Sequence, residues 1–396
     1  MITLPFGIAL QNLANFAGLI IISITAFKIK GWRENFASIP KSLKLAWLFL
    51  VLFILCEITG GILNTNVNNH LGSYIAGRLS LVIFPFAITM LGGKSAFKSL
   101  KSKKKIFIGI LSFWCIILVS QFFHSWGIRQ AELVSYGNRP EGFYSNALTT
   151  AYVLFIIFPF IGTQFFTKRN TYWAISFALI LTSIAVNNSR TIIATAALII
   201  GFNILFYLRG KVRLLTVVGG LVVGGVILST NNPISFRLKN LFNQSEKVTY
   251  RGYSDHRLVF WDIYTDMIKE KPFFGHGPKL TRDYHVPYYD ARGFNDFEKK
   301  YEAHNQLLQV AGNSGLLGLT FFVLWTLFTL KSIYSCTQDM SLRLAFMQTI
   351  LGFMLAGLTQ NAFQDAEVRQ AYMLLCVGIV MFSSSPLKKL GGTEGQ

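Results

Sequence analysis

Apolar runs of about twenty residues recur along the chain, separated by short polar loops. The runs are continuous rather than alternating, which predicts membrane-crossing helices and argues against a β-barrel. They fall at residues 4–27, 45–63, 73–91, 106–123, 147–166, 214–229, 316–333, 344–358 and 372–382. The stretch 172–208 is apolar except at Asn187-Asn188-Ser189-Arg190. As helix it measures about 55 Å, enough for two crossings of a ~30 Å core. It reads as a hairpin with Arg190 at its outer turn. The pattern predicts an all-α polytopic membrane protein of eleven spans, or twelve if a short one near the N-terminus is added. Within 214–229, Gly219, Gly220, Gly224 and Gly225 form a small-residue face suited to close helix packing. Three regions follow: N-terminal transmembrane helices over 1–230, one large polar loop over 231–313, and C-terminal transmembrane helices over 314–396.

Charge orients these spans. The chain of 396 residues is 52% hydrophobic and only 14% charged, and a soluble domain this apolar would expose large patches. The net charge of +19 raises the question of nucleic acid, but its distribution answers otherwise. Lys and Arg gather in loops between alternate runs: Lys28 to Lys44, Lys94 to Lys105, Lys168-Arg169, Arg209 to Arg213, Lys331 and Arg343, and Lys388-Lys389. That is the positive-inside signature, so membrane lipids rather than nucleic acid are the expected partners. It puts those loops in the cytoplasm and residues 231–313 on the outer face. The four cysteines lie in spans or cytoplasmic loops, so no disulfide framework is expected. With no basic segment at its N-terminus, the first apolar run is expected to be retained rather than cleaved as a signal peptide.

The long polar interval concentrates chemistry. Between Ser254 and Leu319 lie four of the six histidines and half of the acidic side chains. Ser254 and Asp255 suit the start of a helix running to Lys271, ended by Pro272. Arg257, Trp261, Tyr264 and Ile268 share one helical face, predicting an amphipathic helix against the membrane surface with Trp261 in the interface. Arg257 either snorkels to the headgroups or meets an anionic substrate. A second short helix is expected over Tyr301–Val310, opened by His304 and broken at Gly312-Asn313-Ser314-Gly315. There His304 is either a satisfied structural residue or a base for a hydroxyl near neutral pH. Arg190 either snorkels or joins the backbone N–H groups beginning the next span to hold a phosphate. Arg78 either neutralises Glu57 or adds a phosphate contact, and Arg139 is a further outer-face candidate. Asp262 and Asp266, one turn apart, fit a solvated face better than a metal site. Gly275-His276-Gly277 is too short for a dinucleotide fingerprint, and there is no Walker loop, Asp-x-Asp pair or Cys/His cluster. No cofactor or metal is therefore expected.

Together these residues resemble the O-antigen ligase/polymerase superfamily of bacterial inner-membrane glycosyltransferases. The likeness is carried by Ser189-Arg190-Thr191, by Arg257-x-x-x-Trp261, by Pro272-Phe-Phe-Gly-His-Gly-Pro278, and by His304-Asn305-Gln-Leu-Leu with Gly312-Asn-Ser-Gly-Leu-Leu-Gly-Leu319; Arg139-Pro-Glu-Gly-Phe-Tyr-Ser-Asn146 is a further motif. The resemblance implies a GT-C-type architecture, with the active site facing the periplasm in a large loop that carries short amphipathic helices. It implies transfer of a glycan from an undecaprenyl-pyrophosphate carrier, by an inverting, metal-independent reaction. The acceptor is the lipid A–core oligosaccharide in the ligases, another carrier-linked chain in the polymerases, and a Ser or Thr in the related protein O-oligosaccharyltransferases. By motif, the family's two essential arginines and histidine correspond to Arg190, Arg257 and His304. Arg78, Arg139, Trp261, His276 and Asn305 are candidates for binding pyrophosphate or glycan. The shape of the outer loop favours the ligase. A solute transporter is the reading from another class, but its paired halves with broken helices are not seen.

Overall fold

The computed structural model describes residues 32–37, 39–64, 147–187, 189–229, 256–278, 285–294, 302–361, 363 and 366–382, with scattered positions between 78 and 120. Its helices are α1 (Trp32–Ala37), α2 (Lys41–Leu63), α3 (Ala147–Lys168), α4 (Thr171–Asn187), α5 (Arg190–Tyr207), α6 (Gly210–Ser229), α7 (His256–Glu270), α8 (Val286–Ala291), α9 (Gln306–Cys336), α10 (Met340–Gly357) and α11 (Ala366–Phe382). Among the described residues there is no strand. Five of the helices, α2, α3, α5, α9 and α10, are long and apolar enough to cross a membrane. The protein is a multi-pass helical membrane protein. Of the expected spans, the first lies outside the described residues, as do most of the third and fourth.

α3 is the hub. Its sequence is apolar all round, the signature of a helix enclosed on every side, and its residues from Ala151 to Gln164 are all buried. It packs against α4, α5, α10 and α11. A second layer is made by α2 and α9, which run along each other. Between helices in lipid, packing rather than water exclusion holds the structure, and aromatic rings supply much of it. Phe363, just before α11, sits among Phe322, Trp325, Phe353 and Tyr372 at centroid distances of 4.8–5.8 Å.

α4 and α5 form the expected hairpin, with Ser189 at the N-cap position of α5 and Arg190 as its first residue. α6 occupies the expected glycine-bearing span, yet a Cβ built at Gly219, Gly220, Gly224 or Gly225 meets no atom within 4 Å. The close packing expected of that face is therefore not made among the described residues.

Three expectations for the polar interval differ from the structure. α7 does form, but its buried face is Val259, Phe260, Ile263, Tyr264 and Met267 rather than the Arg257–Trp261–Tyr264–Ile268 stripe. That face packs on Tyr289, Phe294 and Ala303, so protein covers most of it. The apolar residues at i, i+1, i+4, i+5 and i+8 outcompete the stripe because they bury more area with fewer polar atoms. The second helix begins at Gln306, not Tyr301, because Asn305 caps it: its Oδ1 accepts from the amides of Leu307 (2.9 Å) and Leu308 (3.2 Å). His304 consequently precedes the helix. The helix also runs on through the Gly312–Ser314 positions, and only Gly315, at φ 69° and ψ −177°, leaves helical geometry.

Candidate active site

The loop after α7 fixes the polar interval onto the membrane helices. Its glycines let three backbones meet at near-contact. The amides of His276 and Gly277 donate to the carbonyls of Gly312 (2.9 Å) and Asn313 (2.8 Å), and Leu316 N–H donates to Pro272 O at 2.6 Å. A side chain at Gly315 would overlap the Phe273 carbonyl, and one at Gly277 would overlap the Gly61 backbone on α2. Both residues have positive φ, so glycine is required twice over. Asn64, at the end of α2, donates to Gly275 O and accepts from Lys271 Nζ.

His276 belongs to this junction. It is 4% exposed, and its Nε2 donates to Met267 O at 2.8 Å. The Tyr288 hydroxyl, which donates to Glu270 Oε2 at 2.7 Å, stands 3.5 Å from Nδ1. Burial holds the imidazole pKa below its ordinary value, only partly opposed by the Met267 hydrogen bond. Among the other candidates, Asn305 uses its side-chain oxygen as a helix cap. Trp261 lies against the α7 core cluster. Arg78 is 3% exposed and paired with Glu57 at 3.3 Å, the neutralised pair of the simpler reading. Asp262 and Asp266 both bind Arg292, at 2.8 and 2.6 Å, which clamps the end of α8 to α7. Ser254, Asp255 and Arg139 lie outside the described residues.

The segments that bear three other candidates are linked to one another. His304 has φ +46°, a left-handed backbone conformation uncommon for a residue with a side chain. Its Nδ1 bonds Gln360 Oε1 at 3.0 Å, and its ring lies 5.4 Å from that of Phe260, tilted by 31°. Phe260 is on α7, one turn from Arg257. Beside Gln360, the Thr359 hydroxyl bonds that of Thr191 at 2.6 Å, and Thr191 follows the exposed Arg190 at the start of α5. Two arginines and a histidine, from segments far apart in sequence, are thus linked through residues next to them or one turn away.

The turn between α10 and α11 is part of this linkage, and sequence reasoning overlooked it. Asn361 Nδ2 donates to Glu302 Oε2 (3.2 Å) and Gln309 Oε1 (3.0 Å), while Phe363 N–H donates to Gln306 Oε1 (3.0 Å). Gln309 Oε1 also accepts from Ala303 N–H, and its Nε2 donates to Asn313 Oδ1 at 3.0 Å. The signal was present as Thr359-Gln360-Asn361, a polar triplet between two apolar runs. Chemically the arrangement offers an imidazole in a fixed tautomer and two cationic groups borne on flanking elements, suited to an anion beside a hydroxyl nucleophile.

No curated protein matches the chain. Residues 175–323, however, match the family model described as O-antigen ligase. That stretch contains Arg190, Arg257 and His304, and over it the chain is similar to the O-antigen ligase family.

Proposed function

We propose that this protein is an O-antigen ligase of the bacterial inner membrane, transferring a glycan from undecaprenyl pyrophosphate to a lipid A–core acceptor at the periplasmic face. One observation carries the reading: the α10–α11 turn bonds both His304 and Thr191, the neighbour of Arg190, and the His304 ring lies against Phe260, one turn from Arg257. The family match over the same residues supports glycan transfer of the ligase or polymerase type. The single long polar interval, with basic loops on the opposite side, supports the outward orientation.

In this reaction His304 Nε2 takes the proton of the acceptor sugar hydroxyl. Because Gln360 Oε1 accepts, the neutral ring carries its proton on Nδ1, and Nε2 is the basic nitrogen. The hydroxyl oxygen attacks the anomeric carbon from the face opposite the carrier. As the new C–O bond forms, the bond to the pyrophosphate oxygen breaks and its electron pair stays on the carrier. Arg190 and Arg257 stabilise that growing negative charge, which a poorly solvated site makes more effective. Configuration inverts, the activation energy comes from the carrier itself, and no metal is required. The scaffold is of the GT-C type.

Complementation of a bacterial strain lacking its own ligase tests the proposal. The expected result is a restored ladder of O-antigen on lipopolysaccharide. Lengthening of carrier-linked chains with no capped lipopolysaccharide would identify a polymerase and overturn the ligase assignment.

A further inference from the structure

The geometry points to Gln360 as the positioning residue that sets the tautomer and orientation of His304. The inference rests on His304 being the base of the proposed reaction.

Three observations support it. First, His304 is held in a left-handed conformation that its own backbone disfavours, so surrounding contacts must maintain it. Its ring bonds Gln360 through Nδ1 and lies against the ring of Phe260. Second, Gln360 is presented by a turn anchored on both sides. Thr359 is tied to Thr191 on α5, Asn361 to Glu302 and Gln309, and Phe363 is set in its aromatic nest. The side chain therefore reaches His304 from a fixed backbone, and little order has to be created on bonding. Third, the bond goes to Nδ1, which directs Nε2 away from Gln360. In the proposed reaction Nε2 is the nitrogen that meets the acceptor hydroxyl, so orienting the ring through Nδ1 orients the base. An amide carbonyl does this without adding charge. A carboxylate in its place would fix the same tautomer but would also favour the protonated ring.

Of the charged or titratable groups on the elements linked to His304, Glu302 is on its own segment, His256, Arg257, Asp262 and Tyr264 lie within about one turn of Phe260 on α7, and Arg190 opens α5. None of these is altered in the test, so the change can be assigned to position 360.

Two variants of the full-length protein, purified in detergent, separate positioning from mere structure. Ethoxycarbonylation by diethyl pyrocarbonate attacks the neutral imidazole, and peptide mass spectrometry reads it at His304 as a function of pH without any substrate. Gln360→Glu is expected to raise the midpoint of that curve by about one pH unit, since a facing carboxylate stabilises the imidazolium. In the complementation assay Gln360→Ala is expected to lower capped lipopolysaccharide roughly 10- to 100-fold at unchanged protein level, the scale of losing an imidazole's outer hydrogen-bond partner. Gln360→Glu is expected to retain activity above neutral pH. An unmoved midpoint in Gln360→Glu, or full capping with Gln360→Ala, overturns the positioning role while leaving His304 as base. Full capping with His304→Ala would instead overturn the parent reading, and this inference with it.

Discussion

Two histidines in the same polar interval have opposite surroundings. His276 is enclosed: Met267 accepts from one ring nitrogen, a tyrosine hydroxyl stands over the other, and the backbone around it is bonded into the kink of α9. His304 sits outside its helix on a left-handed backbone, with one nitrogen bonded to a glutamine and the ring half-buried. Both belong to motifs that carry the family likeness, yet the proposed mechanism gives a proton-transfer role to His304 alone. The difference teaches that a motif in this interval marks either the hinge that fastens the loop to the membrane helices or the chemistry the hinge holds in place. A histidine alone does not say which.

The largest effect is expected at the junction that holds His276. Gly315→Ala would force a side chain into a region of backbone space open essentially to glycine and into the Phe273 carbonyl. A loss of more than about 3 kcal/mol is expected, seen as failure to accumulate folded protein in the membrane. Wild-type thermal melting in that variant would contradict the junction. His304→Ala should do the reverse, keeping the protein inserted and folded while activity falls at least about 100-fold. Next comes Arg190→Lys, expected to lose about 10-fold or more, because a point charge does not reproduce the two-pronged contact of guanidinium with phosphate. Equal activity of the lysine variant would show that charge alone suffices.

A smaller effect distinguishes His276 by pH. Its pKa is lowered in the folded protein, mainly by burial, so the unfolded chain takes up a proton first as pH falls. The stability it contributes is full above the unfolded value of about 6.5 and is lost as pH drops through that value towards the lower folded one. His276→Phe should be less stable at neutral pH by about 1 kcal/mol, from the lost Met267 bond. It should also show a flatter decline in melting temperature below neutrality, whereas an unchanged slope would remove His276 as its source. Smallest of all is Arg292→Ala. Its ion pairs with Asp262 and Asp266 are partly exposed, so no more than about 1 kcal/mol should be lost, with capping unaffected.

Much of the scaffold was legible because hydrophobic length is a direct physical signal. The boundaries of α2, α3, α5 and α10 follow their apolar runs closely. The hairpin at Arg190 was legible for the same reason, since the run was too long for one crossing. Where the reading failed, local competition decided. Asn305 prefers to cap a helix, which moved the start of α9 past His304. The apolar face of α7 found protein to cover it, which no count of helical positions could reveal. Gln360 was invisible as a partner because its role comes from a contact across 56 residues, and glutamine between two spans resembles any polar connector.

The most direct test is to express the His304→Ala protein in the ligase-deficient strain beside the wild type, at matched membrane levels. If an imidazole at this position activates the acceptor, the wild type restores the O-antigen ladder and the variant leaves uncapped lipopolysaccharide. A full ladder from the variant would contradict the account.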